Sequence, residues 1–536
     1  MTRSDTEDSD VMHRVAHAIK APFLTDKAAG RVGLHRALGW GSVDMFVAGT
    51  SGFIGGSLLF FYTTFAGIDP LMAAFIIVTG RLIIDAVASP LMGRISDLFA
   101  RTKLGKRFGR RRFFLLVGAP LSLSYILLWV TGASPLYYIV TLVVFELIFT
   151  MIVIPWETLP TDMTNDYVQR TKMGTFRMWI AAVSSSLTTI IPAWLMTQLG
   201  PDDPATYLYT GILYGAFGAV ILLIAFFSTW EQPLDEIAMQ KLDEEAKLSP
   251  FQGIVATFAA VGTTLRIKTF RKHLVLYFAT YGAIDAFNTI FLYFATYSLI
   301  AAGQTTTDGY ILLSLSIVGW FLAPFLGGLF IRFGARPLYI VGVSTGLIAM
   351  IAYGVLYLTQ DAIPHNAIMT VLVAVSIVFQ LGRSVIGFLP WNVYPFIPDL
   401  DEIISKEKRA GIFAGVMTFY RKASAVVITV LVGVVLQIGG LRTEKIDGKL
   451  PTPEQQPDTV AGYVAGLLVF LIGGLFVLLL WNAITFRLNR QNHALIISEI
   501  ERLRAGGSKA DVTVEARDAM ELLTGKNYDQ WAWTGR

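Results

Sequence analysis

Long apolar runs separated by short polar links dominate the chain, and runs of about 20 residues or more are long enough to cross about 30 Å of hydrocarbon as helices. The pattern predicts spans near residues 37–66, 70–98, 113–131, 136–160, 172–199, 206–229, 271–301, 306–332, 337–359, 365–395, 410–440 and 458–487. They fall six and six around a polar stretch. The predicted organisation is a cytoplasmic N-terminal segment (1–36), an N-terminal six-helix bundle (37–229), a cytoplasmic linker between the bundles (230–270), a C-terminal six-helix bundle (271–487) and a cytoplasmic C-terminal tail (488–536). Residues 1–10 are polar and acidic, unlike the start of a cleavable signal. Residues 11–24 fit either a short amphipathic surface helix or a flexible arm. In the tail, ALIISEIERLRAG is apolar at helical spacing but too charged for a thirteenth span.

Lysine and arginine alternate between the links. Arg3, Arg14, Lys20, Lys27, Arg31 and Arg36 precede the first span, and Arg101, Lys103, Lys106, Arg107, Arg110, Arg111 and Arg112 lie between the second and third. The links after spans one, three, five, seven and nine hold none. The positive-inside rule therefore places both termini in the cytoplasm of a multi-pass protein of the cell (inner or plasma) membrane. The link after the eleventh span departs from the pattern with Arg442, Lys445 and Lys449.

Composition narrows the chemistry. Of 536 residues, 15% are charged, against about 25% in soluble domains, and a net charge of +4 gives no nucleic-acid surface. The absence of cysteine removes disulfides, thiolate metal sites and thiol nucleophiles. The six histidines read as lying outside the long apolar cores, so buried proton chemistry falls to carboxylates or lysine. No phosphate-binding GxxxxGK[ST] loop is present. The expectation is a protein that is not an enzyme and holds no cofactor beyond a coupling ion.

An internal repeat points to the working helices. Pro155-Trp156, followed by Pro160 and Asp162, matches Pro390-Trp391, followed by Pro395 and Asp399, with the tryptophans 235 positions apart. Pro90-Leu-Met-Gly93 matches Pro324-Phe-Leu-Gly327 at 234. Two matches at nearly one spacing imply a duplicated six-helix unit. The arrangement resembles the major facilitator superfamily, which implies an all-α membrane protein of 12 transmembrane helices in two pseudo-symmetric six-helix bundles, rocking alternately around a central substrate. Gly93-Arg-Ile-Ser-Asp97 and Gly105-Lys-Arg-Phe-Gly109-Arg-Arg-Arg resemble that superfamily's signature loop. The resemblance implies a cytoplasmic gate made by Asp97 with Arg110 and Arg111.

Charges inside spans each need a partner or a purpose, because one near mid-bilayer costs at least about 2.5–3.5 kcal/mol on insertion scales. The candidates are Asp44, Arg81, Asp85, Glu146, Arg177, Asp285, Arg383, Arg421 and Lys422. Glu146 and Arg383 are expected to be structural ion pairs. Asp85 shares a helix face with Arg81 and Ser89. A carboxylate beside a hydroxyl suits a sodium ion, or a carboxylate that titrates; pairing with Arg81 is the static alternative.

The runs Asp85-Ala-Val-Ala-Ser-Pro90-Leu-Met-Gly93, Pro155-Trp156 through Leu159, Asp162, Asp166-Tyr167, Arg170-Thr171 to Arg177, and Arg409-Ala-Gly411-Ile-Phe413 to Lys422 together resemble the glycoside-pentoside-hexuronide:cation symporter family (melibiose permease-like), over about residues 37–487. The resemblance implies uphill transport of a saccharide with Na⁺, Li⁺ or H⁺. It implies cation coupling at Asp85, Ser89 and Lys422, with Ser89 replacing the family's second acid, a departure that favours a single-carboxylate proton site. It implies substrate contacts at Asp44, Trp156, Arg177 and Trp391, with Asp285 as a further substrate or proton group. Val153 stands where the melibiose-type helix 4 aspartate would fall, so galactoside recognition of that type is not expected.

The leading expectation is thus an importer of a sugar, glycoside or oligosaccharide by H⁺ or Na⁺ symport, a monomer in the lipid bilayer. A major-facilitator exporter of amphipathic compounds and a non-transporting membrane sensor are the rivals.

Overall fold

The structure, a computed structural model, describes residues 32–528 apart from 165–166, 201–202, 232–261, 263, 301, 406–409 and 447–448. The expected surface helix at 11–24 and most of the linker lie outside the described residues.

The first unit, Met1–Gln252, contains α1 (Leu34–Thr64), α2 (residues 70–98), α3 (Arg112–Trp129), α4 (Pro135–Met163), α5 (Tyr167–Leu199) and α6 (Ala205–Ser228). The second, Gly253–Arg536, contains α7 (Lys268–Ser298), α8 (Thr306–Phe333), α9 (Ala335–Thr359), α10 (His365–Val393), α11 (Ala410–Gly439) and α12 (Asp458–Ile484). Two tail helices follow, α13 (Arg490–Arg504) and α14 (Val514–Thr524). Among the described residues eleven helices are long and apolar enough to span a membrane. The exception is α2, whose apolar first part, Pro70–Arg81, is too short alone. Its second part carries Asp85, Arg94 and Asp97, yet the helix continues through a π-helical turn at Thr79–Ile83. Inserted turns of this kind occur most often at functional sites.

Starts and stops follow local chemistry. Asp69 caps α2, accepting from Leu71 and Met72, with Pro70 in the first turn where a missing N–H costs nothing. Thr305 and Asp308 cap α8 reciprocally. Within each unit the same packing recurs: α1 lies on α5 and α6, α2 on α4 and α3 on α6, while α7 lies on α11 and α12, α8 on α10 and α9 on α12. Small residues allow the close approaches, as in membrane bundles generally. A Cβ on Gly218 of α6 would sit 2.4 Å from the Phe46 ring of α1, and one on Gly346 of α9 2.6 Å from Phe476 of α12.

The structure corrects one expectation. His273 is not outside the apolar core: it is fully buried in α7, with neither ring nitrogen hydrogen-bonded. Its place among Lys268, Arg271 and Lys272 disguised it as part of a polar edge. The tail holds two helices, the second anchored through Thr269 of α7, whose hydroxyl donates to Leu523 O at 2.6 Å.

Candidate functional site

In the first unit, Pro160 has no N–H to give the carbonyl of Trp156 one helical turn earlier. That carbonyl accepts the Trp40 indole N–H at 3.0 Å, and Trp156 donates its own indole N–H to Trp40 O at 2.9 Å. The two rings stack with centroids 5.4 Å apart. The proline in α4 thereby fastens it to α1. One turn beyond Trp40, Asp44 accepts from Arg177 Nε of α5 at 2.8 Å, and Glu157 of α4 accepts from Arg177 Nη2 at 2.8 Å. The guanidinium lies over the Trp156 ring, 4.5 Å from its centroid. The structure brings together Asp44, Trp156 and Arg177 of the expected substrate residues. Trp156 is fully buried and supports Arg177 from below, while Glu157, 42% exposed, forms the open edge of the cluster.

In α2 the side chain of Asp85 lies outside the described residues, and Ser89 is half-buried. Arg81 pairs with Glu146 of α4 at 3.3 Å, the structural ion pair expected for Glu146. Among the described residues no cluster of three histidine or acidic side chains could hold a metal.

At the end of this unit where α2, α3, α4 and α6 terminate, Gly109 adopts φ +94, a left-handed conformation that costs other residues energy. It turns the backbone N–H groups of Arg110, Arg111 and Arg112 onto the carboxylate of Glu231, at 2.9, 2.9 and 2.7 Å. Asp162 accepts from Arg110 at 3.0 Å and Arg111 at 2.8 Å. Burial pushes the Glu231 carboxyl above its ordinary range, against the opposing effect of the backbone donors. Arg110 and Arg111 thus meet Asp162 and Glu231; Asp97, the expected partner, has its side chain outside the described residues.

The second unit repeats the theme. Asp285 of α7 and Arg421 of α11 are joined by two hydrogen bonds. Arg421 lies over the Tyr281 ring, 4.8 Å from its centroid, and Trp391 of α10 meets Tyr277 edge-on at 5.9 Å. Trp391 is 42% exposed and offers open ring surface. Lys422 is half-buried beside Arg421. Arg383, expected to be ion-paired, makes no ion pair among the described residues; its Nη1 donates to Gln380 Oε1 at 3.4 Å.

Sequence reasoning missed Trp40, Glu157, Glu231, Tyr281 and the role of Arg421. A signal for two of them existed. Trp40-Gly-Ser-Val-Asp44 and Tyr281-Gly-Ala-Ile-Asp285 match position by position, aromatic to acid, at a spacing of 241.

Two units with the same helix pairing, each holding an acid–arginine–aromatic cluster inside long apolar helices, define a multi-span membrane transporter of the major-facilitator type. The chain belongs to the family described as MFS/sugar transport protein, whose profile matches residues 39–490. It is similar to an uncharacterized symporter of Synechocystis sp., 23% identical over 87% of this chain and 96% of the relative. It is also similar to the glucuronide carrier protein homolog of Escherichia coli strain K12, 22% identical over 74% of this chain and 81% of the relative. Among solved structures the nucleoside transporter NupG shares the fold, with a TM-score of 0.54 at 14% identity, covering 84% of this chain and 98% of that one.

Proposed function

We propose that the protein is a secondary active transporter that imports a sugar, glycoside or oligosaccharide by symport with a cation, H⁺ or Na⁺, through alternating access. In this reading it is a monomer of the cell membrane with both termini cytoplasmic. The observation that carries the reading is the Asp44–Arg177–Glu157 cluster over Trp156. It sets charged donors and acceptors beside an aromatic platform inside a span, where charge-assisted bonds to hydroxyls are strong. The names of symporter relatives support cotransport, and the acid of α2, Asp85, is the candidate coupling group. Its neighbour Arg81 has a carboxylate partner of its own in Glu146.

The test is uptake by the purified protein in proteoliposomes against neutral and acidic mono- and oligosaccharides, under a sodium gradient or a pH gradient. Saccharide accumulation driven by one gradient is expected. Outward flux of amphipathic cations without saccharide uptake would replace the reading with an exporter, and no flux of any kind would leave a sensor.

A further inference from the structure

The acid that follows the second proline of the repeat is held differently in the two units. Asp162, after Pro160, accepts from Arg110 and Arg111 of the link between α2 and α3. Its counterpart Asp399 follows Pro395, on the short helix Ile397–Ser405 that continues α10. The link between α8 and α9 is much shorter: Gly334, with a positive φ of +78 as at Gly109, is followed by Ala335, Arg336 and Pro337 rather than by three arginines. Arg336 is exposed. The tail supplies a cation instead. His493 of α13 places Nε2 2.9 Å from Asp399 Oδ2, with its ring edge-on to Phe396 at 4.9 Å, and Arg504 at the far end of α13 donates to Glu402. Helix α14 packs on α13 and is tied to α7 by the Thr269 bond to Leu523. The tail thus links the ends of α7 and α10, the helices that carry Asp285 and Trp391.

Other charges around His493 are engaged or turned away. Glu499 accepts from Arg502 and the Tyr528 hydroxyl, and on α14 Glu521 pairs with Arg517 while Glu515 and Asp518 are exposed. Asp401 is buried on the same short helix as Asp399, and Arg490, one turn before His493, is exposed. A guanidinium keeps its charge throughout the physiological range, whereas an imidazole ordinarily gains its charge near about pH 6.5. A charge-assisted hydrogen bond is roughly twice as strong as a neutral one. The hold on Asp162 is therefore fixed, and the hold on Asp399 is adjustable.

We propose that the C-terminal tail is a pH-sensitive strap on the second unit: protonation of His493 tightens its grip on Asp399, and the tightened strap slows the rearrangement of α7 and α10 during transport. On the reading above the tail faces the cytoplasm, so acidification there by proton-coupled uptake throttles further uptake. The sidedness and the saccharide used below rest on that reading; the strap itself does not.

The chain has no cysteine, so Ser498→Cys on the exposed side of α13 and Arg336→Cys at the start of α9 can carry two nitroxide labels, and pulsed electron resonance in nanodiscs reads the distance between them. One narrow distance is expected at pH 6, joined at pH 8 by a second, broad population. His493→Gln, which cannot gain a charge, is expected to show the broad population at both pH values. His493→Arg, which copies the first unit, is expected to show the narrow distance at both. In proteoliposomes at equal pH on both sides, exchange is followed with whichever of labelled methyl glucoside and methyl glucuronide the wild type accepts. At pH 8 His493→Arg is expected to exchange it about three-fold or more slowly than the wild type. A wild-type distance that ignores pH, or a His493→Gln distance that responds as the wild type's does, overturns the switch. Equal exchange by His493→Arg and the wild type at pH 8 overturns the restraint on transport. Exchange of neither saccharide overturns the saccharide reading, while the distances still decide the strap.

Discussion

A guanidinium presents its donors in one rigid plane, and Arg177 uses two different edges of it, Nε toward Asp44 and Nη2 toward Glu157, while the flat face rests over Trp156. A lysine ammonium can replace the charge but neither the span between two carboxylates nor the flat contact. Arg177→Lys is therefore expected to raise KM for the transported saccharide about ten-fold while the protein still folds, measured as initial uptake rate beside a melting curve in detergent. An unchanged KM would remove Arg177 from the substrate path. The Asp44–Arg177 and Asp285–Arg421 pairs differ in shielding: the acid is 6% exposed in the first and 19% in the second, and the arginines are 29% and 35% exposed. Solvent weakens the second pair more. Double-mutant cycles read from unfolding should give a coupling of roughly 1–3 kcal/mol for Asp44–Arg177, and less for Asp285–Arg421. The reverse order would contradict the ranking.

At the scale of elements, the loop between α2 and α3 is held by backbone more than by side-chain charge. Glu231 closes a ring of three N–H groups opened by the left-handed Gly109. Burial raises the folded-state pKa of Glu231, whereas in the unfolded chain it titrates near about 4.3. Between those two values the folded protein binds more protons, so the contribution of this group to stability is fully present below the unfolded pKa and is lost as pH rises through the folded one. Glu231→Gln cannot titrate. The melting temperature of the wild type minus that of Glu231→Gln is expected to fall from pH 4 toward neutrality, and a rise over that window would refute the assignment. This bond was hidden in the sequence because it joins a side chain to main-chain groups about 120 positions earlier, and no side-chain pattern encodes it. What apolar periodicity does encode was legible: the spans, and through the Pro-Trp repeat, the helices α4 and α10 that carry the site. Asp44 and Arg177 were legible as charges in apolar surroundings and, through the family resemblance, as expected substrate contacts, but not as a pair. Their meeting depends on α1 packing against α5. The Asp285–Arg421 pair was hidden in the same way, since α7 meets α11 only in the folded unit.

For the molecule as a whole, transport requires that filling one site change the balance between two global states, and a cation drives a substrate uphill only if the two bind with a favourable coupling free energy. Substrate binding and cation binding must then be separable by mutation. The acid of α2 follows immediately upon the π-turn at Thr79–Ile83, while the Asp44–Arg177 cluster is built from α1, α4 and α5. The two therefore rest on different helices of the same unit. Asp85→Asn keeps the side-chain size and removes the charge, and on the proposed reading it should leave the Asp44–Arg177 cluster intact while abolishing the driving link. The expected outcome in vesicles is that exchange of labelled for unlabelled saccharide continues while accumulation against a gradient is lost, for either ion. If Asp85→Asn vesicles still accumulate saccharide uphill, Asp85 is not the coupling group. If exchange disappears as well, α2 serves substrate binding rather than coupling, and the division of labour between α2 and the α1–α4–α5 cluster fails with it.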